Sequence, residues 1–332
     1  MKATSANASL SGLLCIGGAI VCACLFASVT SVAQQSAEKK APAAAVASGL
    51  TAKGFNTPQQ AADEVVEAAG NFDVDALEKI FGSTGKSIVL TGEVAQDRQL
   101  AADFAAQAQE KKSVSLDPKG RGRAFLLVGN ENWPFPVPIV KRGSKWFFDA
   151  KAGQQEMLYR RIGANELDAI QICRGYVEAQ REFALRKREG YDVNQYAQRI
   201  VSTPGKKDGL AWQNPDGTWG GPIGEKIAHA IEQGYASGAE PYHGYFFKIL
   251  KGQGPAAPLG EMDFVVKDVM IGGFALAVAP AEYRVTGVKT FIVSNDGVVY
   301  QKDFGPASLE NFKKMERFNP DKSWTPVREE NK

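Results

Sequence analysis

Residues 289–303 read KTFIVSNDGVVYQKD, and they are the clearest indication of fold in the chain. Two runs rich in β-branched and aromatic residues flank Asn295-Asp296-Gly297, and an Asp-Gly pair between such runs strongly signals a β-hairpin. Upstream, residues 273–279 (GFALAVA) alternate large and small apolar side chains, which indicates a strand with a large-residue face and a small-residue face. This part of the chain therefore predicts an antiparallel sheet.

The predicted sheet belongs to a domain at residues 225–305. Residues 242–251 predict a further strand, and residues 225–235 carry apolar side chains at helical spacing. We therefore expect a helix packed on an antiparallel β-meander. Beyond this domain, residues 306–332 predict a helical turn followed by a loose tail.

The first half of the chain predicts an α+β domain at residues 54–152. Thr57-Pro58 supplies the residues favoured at a helix N-cap and first position, and Asp73 caps a second, short helix. A strand at residues 87–91 and a helix at residues 94–112 are expected next. Three extended segments complete the domain, at residues 122–129, 135–141 and 145–150. Prolines in and beside the middle segment make it an edge or irregular strand, because proline cannot donate to a ladder.

Between the two domains the sequence predicts linking helices and a long loop. Residues 153–188 have helical periodicity with an interruption near Gly163, and their apolar stripe includes Leu167 and Cys173. Residues 189–224 lose this periodicity and are rich in Gly, Pro, Asn and Asp, which is typical of a loop that is either functional or disordered. The overall fold class is α+β.

The first 33 residues predict a signal peptide. Lys2 is followed by an uncharged apolar stretch that ends in Ser31-Val32-Ala33, a small-residue cleavage site. Residues 34–53 then predict a disordered linker of Ala, Lys, Ser and Pro. We expect a periplasmic or secreted protein without a stable membrane span once the leader is removed. The alternative is that the apolar stretch is retained as an anchor, since it is long enough to span a bilayer.

The number of cysteines and the net charge limit the possible functions further. Three of the four cysteines lie in the leader, so the mature chain keeps only Cys173 and has no intramolecular disulfide. The 39 basic side chains minus Lys2 leave 38 against 37 acidic ones, a net charge of +1. Nucleic-acid binding usually needs a concentrated basic surface, and this balance does not predict one.

No motif in the sequence fully matches a cofactor site, a metal site or a catalytic nucleophile. Residues 82–87 (GSTGKS) resemble a P-loop, but Ile80 stands where its first glycine is needed and a strand is expected to follow. Residues 252–257 (GQGPAA) contain a proline where a dinucleotide fingerprint needs a helix. Neither His229 nor His243 has a metal-binding partner at motif spacing. We therefore predict no cofactor, no metal and no catalytic residue.

The candidate ligand-binding residues are aromatic side chains in predicted loops and at strand starts. They are Trp133, Trp212, Trp219, Tyr242 and His243. An aromatic ring in a loop either packs the loop onto its domain or offers a stacking surface, and packing is the commoner role. We expect Trp212 to pack against the second domain and Trp219 to be the more exposed of the two.

Several segments resemble one bacterial family, the domain of unknown function 2950. They are GKKDGLAW at 205–212, YHGYFF at 242–247, GGFAL at 272–276, TGVKTFIV at 286–293, GVVYQKD at 297–303 and WPFP at 133–136. The resemblance covers nearly all of the mature chain; it implies an exported bacterial protein and no particular activity. The first half also resembles the nuclear-transport-factor-2-like cone fold, and the second half resembles a pilin-like head.

Two functions are compatible with these residues. The preferred one is a non-catalytic binding or structural module for an envelope protein or a glycan. The alternative is a small enzyme that uses a carboxylate in the pocket of the N-terminal cone-like domain. A buried, unpaired Asp or Glu inside the cone would favour the enzyme, and a filled cone would favour the module.

Overall fold

A computed structural model describes residues 51–187, 192–223 and 241–328. The chain divides into two compact units, Met1–Met157 and Leu158–Lys332. Helices combine with antiparallel open sheets in the described residues, which confirms the α+β class. The predicted signal peptide and the predicted helix at residues 225–235 lie outside the described residues.

The first unit begins with the two predicted capped helices. Helix α1 spans Pro58–Gly70, and its N-cap hydroxyl, Thr57 Oγ1, accepts a hydrogen bond from the Gln60 amide at 3.1 Å. Helix α2 spans Val74–Phe81, and Asp73 Oδ1 accepts from the Ala76 amide at 2.9 Å. Both caps satisfy amides that a helix start leaves without an intrahelical partner, so both predictions are confirmed.

The strand predicted at residues 87–91 is wrong. The chain there forms a short helix, α3, at Lys86–Val89, followed by helix α4 at Val94–Glu110. The carboxylate of Asp97 is buried and accepts hydrogen bonds from both the amide and the hydroxyl of Thr91. This tertiary contact takes an amide that a strand would need for its ladder, and it outweighs the local β-propensity.

An antiparallel sheet follows in the first unit. Its strand order is β1-β2-β4-β5, with β3 also paired to β2, and the strands are β1 Lys112–Leu116, β2 Arg123–Val128, β3 Trp133–Pro134, β4 Ile139–Arg142 and β5 Lys145–Phe148. The proline-rich segment is irregular as predicted, because only two short pieces of it join the ladder. Strand β1 is not predicted from the sequence, and its outer residues are exposed and mostly polar.

Aromatic side chains fill the core of the first unit. Phe81 contacts Phe148 edge-on at 5.3 Å between ring centroids, and Phe135 lies 4.9 Å from Phe104. Phe55 also packs against Phe148, at 6.3 Å. Such ring pairs add to the free energy gained from burial alone, so the interior of this unit is occupied by its own side chains.

A single helix, α5, spans Ala150–Ala184 and belongs partly to each unit. The interruption predicted near Gly163 is wrong. A Cβ at Gly163 would meet no atom within 4 Å, so the glycine occupies an open helix face. Leu167 is also misassigned to the apolar stripe, since it is 62% exposed; Cys173, Tyr176 and Phe183 form the buried face.

The second unit is built on a five-stranded antiparallel sheet. Its strand order is β16-β15-β14-β13-β8, and these strands are β8 Tyr245–Leu250, β13 Ala275–Pro280, β14 Thr290–Ser294, β15 Tyr300–Lys302 and β16 Thr325–Pro326. The hairpin predicted around Asn295-Asp296-Gly297 is confirmed by the pairing of β14 with β15. Every residue of β13 is buried, as suits a strand inside the sheet with both faces covered.

The described part of the C-terminal tail, up to residue 328, is not loose. A short 3₁₀ turn leads into helix α6 at Ser308–Lys314, and β16 pairs with β15. Phe318 is fully buried and Trp324 is 9% exposed. Their burial explains why the tail is held, because each aromatic ring removes a large apolar area from water.

The described part of the predicted loop at residues 189–224 also joins the second core. Ala197, Ile200, Leu210 and Ala211 are buried. A two-stranded hairpin forms within it from β6 Trp212–Gln213 and β7 Trp219–Gly220. Two further short hairpins precede β13, from β9 Gly252–Gln253 with β10 Met262–Asp263 and from β11 Val265–Val266 with β12 Val269–Met270.

Cys173 should react slowly with thiol reagents in the native protein. It has no exposed surface, and burial strongly raises the pKa of its thiol, so little of the nucleophilic thiolate forms. We expect Cys173→Ala to lower the free energy of unfolding by about 1–2 kcal/mol through the cavity it leaves. The rate of Cys173 labelling by a chromogenic disulfide reagent, measured before and after denaturation, tests the slow reaction. Rapid labelling of the native protein would contradict the buried position of Cys173.

No helix in the described ranges is both long and apolar enough to cross a membrane.

Candidate functional site

A tight turn at residues 242–245 leads into strand β8. The Tyr242 amide donates to the Tyr245 carbonyl at 3.1 Å, and the Tyr245 amide donates back to the Tyr242 carbonyl at 2.9 Å. His243 and Gly244 both have positive φ, 44° and 74°. Two consecutive left-handed residues are the mark of a type I′ turn, whose twist matches that of hairpin strands. The turn therefore presents His243 at its apex.

Close packing makes glycine necessary at position 244. A Cβ there would lie 2.4 Å from the Cβ of Thr286, well inside van der Waals contact. Next to it, Tyr245 is buried, and its hydroxyl donates to the Lys289 carbonyl at 3.0 Å. Burial raises the pKa of Tyr245, so this hydroxyl remains a donor. The turn is thus anchored to residues 286–289.

Three side chains meet at this turn. His243 Nδ1 lies 2.7 Å from Asp168 Oδ2, and the rings of Tyr242 and His243 stack with centroids 4.1 Å apart and an interplanar angle of 13°. The side chains of His243 and Asp168 are 46% and 50% exposed. Burial raises the pKa of the Tyr242 phenol, and the negative charge of Asp168 raises it further. We call Asp168, Tyr242 and His243 the turn cluster.

Helix α5 holds Asp168 against the turn by neighbouring contacts. Glu166 Oε1 accepts hydrogen bonds from the amides of Val288 and Lys289, both at 2.9 Å. Asn165 Nδ2 donates to the Thr286 carbonyl at 2.8 Å. These contacts join helix α5 to the loop that precedes β14. They therefore hold the carboxylate of Asp168, on the same helix, beside the turn.

The chemistry of the turn cluster is that of a fixed hydrogen-bonding surface. The contact with Asp168 uses Nδ1, which orients the imidazole and leaves Nε2 as the nitrogen for a ligand. Within the described residues no group of three or more His, Cys, Asp or Glu side chains could hold a metal ion. The cluster can therefore stack on a ligand and exchange hydrogen bonds with it.

The structure brings together two of the five aromatic candidates, Tyr242 and His243. Trp133 lies in the other unit on the short strand β3 and is 42% exposed. Trp212 pairs with Gly220, and Trp219 pairs with Gln213, so the two indoles lie on opposite faces of their hairpin.

Both indoles of that hairpin are half-buried. Trp219 packs against the core of the second unit. The Nε1 of Trp212 lies beside Gly220, and Lys207 Nζ is 5.2 Å from its ring centroid. The expectation that Trp219 is the more exposed of the two stays a prediction, and neither indole is part of the turn cluster.

The first unit offers less for chemistry. Its buried carboxylates are both occupied: Asp97 binds Thr91, and Asp117 accepts from the Arg121 guanidinium at 2.7 Å and from the Lys119 amide at 2.9 Å. The guanidinium of Arg121 and that amide hold the pKa of Asp117 below its usual range. A surface cavity of about 550 Å³ beside Lys86 has no carboxylate among its lining residues.

Asp168 is the residue of the turn cluster that sequence reasoning missed. It lies 75 positions before His243, and nothing in its neighbourhood marks it out. The sequence Tyr-His-Gly-Tyr could have indicated the turn itself, because histidine tolerates the left-handed region better than most residues and glycine follows it.

Comparison with known proteins gives one match. The family model described as a protein of unknown function (DUF2950) matches residues 52–327. No curated protein and no solved structure matches significantly, so the cone-like and pilin-like resemblances stay predictions. Because the match covers most of the chain, this protein belongs to the DUF2950 family of proteins of unknown function.

Proposed function

We propose that this protein is an exported bacterial envelope protein that acts as a binding module for a partner protein or a glycan. The ligand binds at the turn cluster. The observation that carries this proposal is the fixed stack of Tyr242 and His243, with Asp168 at 2.7 Å from the imidazole, on an exposed and anchored turn. Groups held in place before binding lose little conformational entropy when a ligand arrives.

Backbone geometry supports a ligand-binding role for the turn. His243 occupies the left-handed region, which costs free energy for a residue with a Cβ. The type I′ turn requires this conformation at its first central position, and it holds the imidazole at the exposed apex of the turn. A polar apex that is exposed and fixed by a carboxylate is available for recognition.

The enzyme alternative has less support. It requires a carboxylate of perturbed pKa without a partner inside the first unit. Both buried carboxylates described there have hydrogen-bond partners, and phenylalanine rings fill the core around Phe148. A filled interior favours the binding module.

Export is the first testable part of the proposal. Mature protein purified from an envelope fraction should begin at or near Gln34, because Ser31-Val32-Ala33 has the small residues that signal peptidase recognises. N-terminal sequencing or intact-mass measurement decides this. A chain that retains residues 1–33 would mean that the apolar stretch is an anchor.

Binding at the turn cluster is tested by photo-crosslinking in cells. A photoreactive phenylalanine analogue at position 242 should give adducts of higher mass in envelope fractions. The same analogue at Tyr159, a 60% exposed tyrosine on α5 in the same unit, is the matched control. Adding His243→Ala to the position-242 protein should reduce the adducts at least tenfold, and equal labelling from both positions would refute a site at the turn.

A further inference from the structure

We infer that the turn cluster recognises an uncharged sugar ring, so that its ligand is a neutral glycan. This inference rests on the proposed function and narrows its ligand from protein or glycan to one class. It is carried by the shape of the stacked rings, by the kinds of hydrogen-bonding atom around them and by the charges nearby.

The imidazole of His243 gives a flat exposed surface close to the size of one sugar ring. At 4.1 Å and 13°, Tyr242 and His243 stack almost in parallel, so their facing sides are covered, and Tyr242 also packs against the core of the second unit. Aromatic side chains have an apolar face and, in tyrosine and histidine, a polar edge. A pyranose has the matching arrangement, with C–H groups on its face and hydroxyls around its rim.

The polar atoms of the turn cluster suit hydroxyl groups. Asp168 can only accept hydrogen bonds while it is ionised, and the Tyr242 phenol can donate because its raised pKa keeps it protonated at neutral pH. A sugar hydroxyl donates one hydrogen bond and accepts others, so neighbouring hydroxyls can satisfy both groups. The imidazole Nε2 adds a third hydrogen-bonding atom.

The charged side chains around the cluster are engaged or balanced. Arg161 Nη2 donates to the Val285 carbonyl at 3.4 Å, and the carboxylate of Glu166 accepts from two backbone amides. Asp168 is paired with the imidazole. The exposed Glu282 and Arg284 on the loop beside the turn have opposite charges, so the described surroundings favour neither an anionic nor a cationic ligand.

The surroundings are too polar for the centre of a protein interface. The loop beside the turn exposes Glu282 and Arg284, and α5 exposes Leu167 next to Asp168. Stable protein interfaces bury about 800 Å² on each partner around an apolar centre. Within the described residues, one exposed leucine beside charged residues gives a much smaller apolar area, which a single sugar unit could cover.

Nuclear magnetic resonance of the histidines tests the inference on the mature protein. The chain has two histidines, so the imidazole signal of His243 can be assigned by comparison with His243→Ala, and His229 serves as the internal reference. The probes are the neutral N-acetylglucosamine tetramer and maltotetraose, with oligogalacturonate as the anionic control. We expect at least one neutral probe to shift the His243 signal saturably.

Variants complete the experiment. Tyr242→Ala and Asp168→Asn should each weaken that binding at least tenfold, while Tyr159→Ala leaves it unchanged. No shift with any neutral probe, or a shift with oligogalacturonate alone, overturns the inference. If adducts crosslinked from position 242 then prove to be protein, the binding module stands without the glycan; if neither adducts nor shifts occur, the proposed function fails as well.

Discussion

Gly244→Ala should lower the free energy of unfolding of the second unit by about 3 kcal/mol. Placing a Cβ on a residue with φ of 74° costs about 1 kcal/mol. Its 2.4 Å approach to the Cβ of Thr286 adds an overpacking cost of about 2 kcal/mol. For a unit of this size the melting temperature should fall by roughly 10 °C, and crosslinking from position 242 should be lost with it.

Two variants separate the causes of this effect. Gly205→Ala has a similar φ of 78°, but its Cβ would have no atom within 4 Å, so it measures the backbone strain alone. Thr286→Gly in the Gly244→Ala background removes the atom that clashes and should recover part of the loss. Thermal unfolding of the four proteins gives the comparison. If Gly244→Ala melts like Gly205→Ala, the turn is not packed as described.

Local signals in the sequence predicted the parts of the fold that depend on local chemistry. The Asn295-Asp296-Gly297 turn, the Thr57 cap and the Asp73 cap each depend on residues within a few positions of one another, and the structure confirms all three. Short-range hydrogen bonds and backbone preferences act in the same way in a peptide as in the folded chain. Tertiary contacts do not change them.

The errors arise where contacts made outside a segment decide its conformation. Residues 87–91 have β-propensity, but the carboxylate of Asp97, on the next helix, binds Thr91 and the chain forms α3 instead. The tail has few periodic signals, yet up to residue 328 Phe318 and Trp324 hold it on the second core. Neither contact has a signature in the segment that it reorganises.

Within the turn cluster, too, local sequence signals indicate some residues and not others. Tyr242 and His243 were identifiable because they are aromatic residues beside a glycine at a predicted strand start. Their partner Asp168 lies on a helix that the sequence predicted, but with a wrong interruption near Gly163 and with Leu167 wrongly assigned to its apolar face. Pairing across 75 positions is spatial, so a single sequence could not specify it.

The long segment before Trp212 is held by its apolar contacts with the second core, by hydrogen bonds to residues 268–270 and by one buried side-chain amide, that of Gln180. Its Nε2 donates to the Ala197 carbonyl at 2.8 Å and to the Tyr176 hydroxyl at 2.9 Å, and its Oε1 accepts from the Ala197 amide at 2.8 Å. Gln180 has no exposed surface. A side-chain amide thus replaces the backbone partner that Ala197 would have in a strand.

Gln180→Met should therefore destabilise the second unit by about 3 kcal/mol, although it keeps the length and nearly the volume of the side chain. It leaves the buried amide and carbonyl of Ala197 without partners, and each unsatisfied group costs about 1–3 kcal/mol. The matched control is Gln154→Met on the same helix, whose Nε2 bonds at 2.6 and 2.7 Å are in an exposed setting. We expect that variant to lose less than about 1 kcal/mol.

Hydrogen exchange distinguishes a lost amide clamp from general loosening. In the native protein the Ala197 amide should be protected, because it is buried and bonded to Gln180. In Gln180→Met its exchange should accelerate more than that of the Phe291 amide in β14, and protease cleavage should begin near residues 192–203. Equal acceleration at both amides would mean that the variant loosens the whole core. Unchanged exchange at Ala197 would show that the segment is held by its apolar contacts, Ile200, Leu210 and Ala211, and not by the glutamine.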